Sequence, residues 1–67
     1  MINTNELRGE IAKKGTSQRK LAKAIGVTDT TFYKKMKKGV FGSDEIEKIV
    51  NELEIDKARA IEIFFAI

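Results

Sequence analysis

Residues 18–39 read QRKLAKAIGVTDTTFYKKMKKG, and two helices are written into them. The first follows an N-cap at Ser17 and turns Leu21 and Ile25 inward, while Arg19, Lys20 and Lys23 point out. Gly26 stops it, because a left-handed backbone is cheap only for glycine. Thr28 caps the second helix, which ends near Lys38 with Gly39 beyond it. Its buried stripe is only Phe32 and Met36, four residues apart. The link between the helices, Gly26–Val27, is too short for antiparallel stacking, so the two cross steeply. Leu21, Ala22 and Ile25 then meet Val27 and Phe32, and the small Ala22 side chain lets the helices approach at the crossing.

Helical spacing continues on both sides of this pair, and no stretch alternates at period two long enough to demand a sheet. Upstream, a helix over about 5–14 carries Leu7 and Ile11 on one face, with Asn3 or Thr4 as N-cap and Gly15 as its stop. Downstream, Ile46, Ile49, Val50 and Leu53 form the cleanest amphipathic pattern. That helix starts at Ser43 or Asp44, with Asp44 and Glu47 at capping-box spacing. A last helix over about 57–66 follows Asp56 and directs Ile61, Phe64 and Phe65 to the core, although EIFFAI also reads as a strand. Gly9, inside the first helix, costs roughly 1 kcal/mol against Ala and suggests close approach by another helix. The expectation is all-α, five short helices around one core, in one domain over 1–67.

Composition narrows the function classes. With 67 residues and no Cys, His, Pro or Trp, the chain offers no thiol nucleophile, imidazole base or zinc site. It also lacks a Gly-rich phosphate loop. Glu45 and Glu52 fall on an amphipathic helix with no length around them to build a pocket, so a solvated face accounts for them better than acid–base work. The expectation is therefore no enzyme, no cofactor, no metal and no small-molecule substrate. No stretch approaches the ~18 apolar residues of a membrane span, and no secretory signal is visible, which points to the cytoplasm.

Charge carries the positive signal. The net charge is only +3, yet residues 1–39 hold ten cations against Glu6, Glu10 and Asp29, and residues 40–67 hold three cations against seven acids. The halves balance at +7 and −4, as for a basic face meant for a polyanion, although a Lys-rich solvated surface gives the same numbers.

Gln18, Leu21-Ala22, Ile25-Gly26-Val27, Thr28 and Phe32 together resemble the Cro/C1-type helix-turn-helix family of phage repressors and related bacterial regulators. The motif covers 17–39, and the five-helix layout extends the resemblance to nearly the whole chain. More narrowly, it is similar to a small prophage-borne branch with a Lys-rich recognition helix, a DEIEKI fourth helix and a terminal IFF. The resemblance implies a lambda-repressor-like DNA-binding domain in a bacterial cell, associated with the nucleoid. It further implies that Gln18 and Thr28 contact phosphates and that Asp29, Thr30 and Lys34 face bases, with Tyr33 serving either. One departure stands out. The family places a second buried aliphatic three residues after the first, where this chain has Lys35; Met36 follows instead, and the stop glycine comes one residue late.

Helix geometry gives a face independently. At about 100° per residue, turning Phe32 inward sets Thr30, Tyr33, Lys34 and Lys37 on the opposite side, with Thr28 and Asp29 at the end that reaches deepest into a major groove. These six are the base-facing candidates, and Gln18, Arg19, Lys20, Lys35 and Lys38 the phosphate candidates. Lys suits guanine O6 and N7, and Asp suits cytosine N4. Each has a plainer account. Asp29 complements a helix dipole, Thr28 is a local cap, Tyr33 packs on the core edge, and the lysines solvate a surface.

One small domain makes few contacts, so a homodimer on a double-stranded operator is expected, with half-sites about one turn (~10 bp) apart. Ala60, Ile63 and Ile67 fall on the side of the last helix away from Ile61, Phe64 and Phe65, and are the candidate two-fold contact. The alternative is a tail folded back over the core. A second function remains open: a helix-turn-helix protein-interaction module of antirepressor or antitoxin type, for which an apolar or acidic docking surface would be the mark.

Overall fold

Five α-helices are present in the computed structural model, which describes residues 2–65: α1 Thr4–Lys13, α2 Gln18–Ile25, α3 Asp29–Lys38, α4 Ser43–Leu53 and α5 Lys57–Phe64. No strand occurs among the described residues, and the strand alternative for 62–67 fails as far as Phe64. None of these helices is long and apolar enough to cross a membrane.

The helix starts follow their short polar residues. Asn3, Ser17, Thr28 and Asp56 each accept the backbone N–H three residues on, at 3.2, 3.1, 3.1 and 2.8 Å. The first four helices also stop alike. Gly15, Gly26, Gly39 and Glu54 take left-handed conformations. The next amide then reaches back five residues, Thr16 to Ile11, Val27 to Ala22, Val40 to Lys35 and Ile55 to Val50, at 3.0–3.2 Å. Glu54 does this with a side chain, against a cost of ~1 kcal/mol.

Helix α2 packs against α1, α3 and α4, and α5 packs back on α1. Phe32 is fully enclosed at the centre, near Leu21, Ala22 and Ile49 of the same core, and its ring meets Phe41 at 5.3 Å between centroids. Before α1, Ile2 N–H donates to Gly39 O (3.1 Å) and Asn3 N–H to Ile63 O (2.8 Å), so the amino-terminal segment lies between the end of α3 and α5.

Three details differ from the sequence expectation. The capping partner of α4 is Glu45, not Glu47: the helix starts one residue after Gly42, and Glu45 Oε1 accepts Gly42 N–H at 2.8 Å. Gly9 meets nothing, since a Cβ built there has no neighbour within 4 Å. The third is the phase of α5. Ile63 and Phe64 are buried, whereas Ile61 and Phe65 are 51 % and 65 % exposed. Arg59 sets that phase. It faces α1, bonding Glu10 at 3.0 Å and Glu6 at 2.7 Å, so Ala60, Ile63 and Phe64 turn in with it. Ile63 is therefore withdrawn as a contact for a second copy, and Ala60 is half-covered. Ile67 lies outside the described residues.

Two glycines should respond in opposite directions to alanine. Gly9→Ala replaces a mid-helix glycine over open space and should stabilise by ~1 kcal/mol, about 4–8 °C in Tm for a domain of this size. Gly26→Ala puts a side chain at φ +81° and should destabilise by about 1–2 kcal/mol. Urea unfolding of both variants beside the native chain checks the signs.

Candidate nucleic-acid interface

With Phe32 and Met36 buried, α3 presents Thr30, Tyr33, Lys34, Lys37 and Lys38 to solvent, and Tyr33 is 54 % exposed. Beside it, α2 exposes Arg19, Lys20 and Lys23, with Gln18 half-buried at its first position. An open groove between the two helices is lined by Arg19, Lys20, Lys23, Val27 and Asp29. The exposed acids sit mostly elsewhere: Asp44, Glu47 and Glu52 on α4, Glu54 and Asp56 in the following turn, Glu62 on α5. The division of charge along the chain is thus a division by helix, with cations on the α2–α3 surface. Among the described residues no group of three His, Cys, Asp or Glu side chains is placed to hold a metal ion.

The start of α3 is occupied by its own contacts. Thr28 Oγ1 accepts Thr31 N–H (3.1 Å), and its hydroxyl donates to Thr31 Oγ1 (2.9 Å). Asp29 pairs with Arg19 Nε at 3.2 Å. Both partners are well exposed, so water and salt screen the pair.

Lys35, among the phosphate candidates read from the sequence, is engaged by an acid instead of facing solvent. Its ammonium lies 2.6 and 2.5 Å from the two carboxylate oxygens of Glu45, in a part-buried pair against the first turn of α4. Glu45 is itself held by the Gly42 N–H. Lys35 is therefore turned inward and meets a buried acid. Composition gave no sign of it, because Glu45 and Lys35 are ten positions apart and each looks solvated on its own helix.

Two further features have the same origin in long-range packing. Arg59 gathers Glu6, Glu10 and Glu62 between α1 and α5, with Glu10 nearly enclosed. Bonds to Glu6 and then Glu10 hold the guanidinium above its ordinary range, so it stays charged. On the far side of α5, Ile61 and Phe65 stand one turn apart as an uncovered apolar pair.

Lys35, bonded to the carboxylate, lowers the Glu45 pKa below the ordinary glutamate range; partial burial opposes this, and the Gly42 N–H adds to it. A carboxyl lowered on folding binds fewer protons folded than unfolded. Its stabilisation is complete above the ordinary glutamate value and is lost as pH falls through that value to the folded one. Glu45→Gln should therefore be less stable than the native chain at neutral pH, with the gap closing as pH falls below the ordinary glutamate range. Urea midpoints across that range check it.

The chain matches no protein-family model, no curated protein and no solved structure.

Proposed function

We propose that the chain binds double-stranded DNA sequence-specifically, with α2 and α3 acting as a helix-turn-helix and α3 entering the major groove, and that it serves as a repressor of phage or prophage type. The observation that carries this reading is the joint exposure of Arg19, Lys20, Lys23, Lys34, Lys37 and Lys38 around the outward Thr30 and Tyr33, on a helix anchored from behind by Phe32. The cations displace counterions from phosphates. If all six met one, log affinity would fall with log salt at a slope of about −5. Thr30, Tyr33 and Lys34 then read base edges, each good contact discriminating by about 1–3 kcal/mol. Repression follows from occupying a site; the resemblance to phage repressors supports that part.

Two copies would act together. The Ile61 and Phe65 pair suits a two-fold contact, in place of Ile63. The domain measures 27 × 23 × 20 Å, a size that lets paired copies present α3 to successive grooves about 34 Å apart.

Selection from a random duplex library tests the reading. Enrichment of a two-fold symmetric site is expected, bound with steep salt dependence and with its preference relaxed in Thr30→Ala and Lys34→Ala. Failure of any sequence to enrich, with affinity left near ~10⁻⁴ M at physiological salt, would reject it in favour of a protein partner. For the dimer, Ile61→Glu should sediment as a monomer at concentrations where the native chain is dimeric, and should bind the full site more weakly than an isolated half-site would explain.

A further inference from the structure

The inward face of α3 is unusually poor. Its fully buried side chains are Phe32 and Met36, one turn apart, and methionine is the most adaptable of core side chains. Two such residues hold the helix against the core but leave its rotation about its own axis loosely fixed. The Lys35–Glu45 pair supplies what they lack. Lys35 is adjacent to Met36, and its ammonium bonds both oxygens of a carboxylate that cannot swing freely, because Glu45 Oε1 also accepts the Gly42 N–H. The Lys35 carbonyl meanwhile accepts Gly39 N–H (2.8 Å) and Val40 N–H (3.1 Å). One residue thus closes α3 through its main chain and ties it to α4 through its side chain.

We propose that Lys35 is a positioning residue for sequence specificity: its bond to Glu45 sets the roll of α3 and hence which atoms of Thr30, Tyr33, Lys34 and Lys37 reach the bases. The proposal rests on the DNA-reading role of α3. A roll of about 20° moves a side-chain atom ~5 Å from the axis sideways by roughly 2 Å, beyond what a hydrogen bond to a base edge tolerates. Contacts to phosphates, made by long flexible lysines, survive such a roll. Loss of the pair should then erode discrimination while leaving general affinity for DNA.

Lys35→Met and Glu45→Gln provide the test, because they change net charge in opposite directions. Each full-length variant is compared with the native chain for affinity to the selected duplex and to a scrambled one, at several salt concentrations, with helicity checked by circular dichroism. Residual dipolar couplings of the α3 amides in the free protein report the roll without DNA. Positioning requires both variants to lose at least tenfold in the ratio of selected to scrambled affinity, with α3 couplings altered in both. It also requires an unchanged salt slope for Lys35→Met. A slope lowered by about 0.9 in Lys35→Met, or opposite effects of the two variants on affinity with the ratio intact, would show that Lys35 acts as a charge and overturn the proposal. If the native chain itself prefers no sequence, the DNA-reading role fails first and takes the proposal with it. A native preference kept intact in both variants defeats the positioning claim alone.

Discussion

The Phe32 ring has no contact with water, and the α2–α3 crossing and the Phe41 ring are arranged around it. An aromatic ring enclosed on all sides keeps the helix that carries it seated on the core, since withdrawing it would open a void worth several kcal/mol. Ala22 makes the enclosure possible, being buried completely and small enough for the helices to close over the ring. Everything exposed on α3 is exposed because Phe32 is not. The basic surface is in this sense the reverse side of a packing decision.

A domain with a short supply of apolar residues has to fasten its helices by other means. Here two ionic clusters join separate helices, Arg59 with Glu6 and Glu10 between α1 and α5, and Lys35 with Glu45 between α3 and α4. Each contains one nearly enclosed acid, and no buried side-chain polar atom among the described residues lacks a partner. Such pairs add little net stability compared with well-packed hydrophobes, because desolvation offsets much of the attraction. What they add is direction. An apolar contact tolerates sliding; a carboxylate held on two sides does not.

Most of the architecture was legible in the sequence because it is locally determined. Ser17, Thr28 and Asp56 announce their helices through side-chain caps, and Gly15, Gly26 and Gly39 end theirs through backbone freedom. The bounds of α2 and α3 follow from these alone. Where a signal depended on residues far apart it was lost. Nothing local distinguishes Glu10 or Glu45 from the solvated acids near them. The phase of α5 is hidden for the same reason: Ile61, Ile63, Phe64 and Phe65 are apolar on every side, and only Arg59 reaching Glu10 decides which of them turn inward. The end of α4 was obscure because Glu54 takes the left-handed position that glycine marks elsewhere. Of the candidate interface, the outward set on α3 could be read from helical period, while the inward turn of Lys35 required its partner.

The stitch between Asn3 and Ile63 joins positions sixty residues apart. A chain emerging from the ribosome amino end first therefore makes α1 through α4 before the segment that receives its own beginning exists. Glu10 waits likewise, a carboxylate with its guanidinium partner 49 residues away. During synthesis the nascent chain holds helices with local caps and an open seam where α5 belongs. The seam closes once α5 is free to pack back on α1. A product lacking α5 would leave the nearly enclosed Glu10 carboxylate without its guanidinium partner.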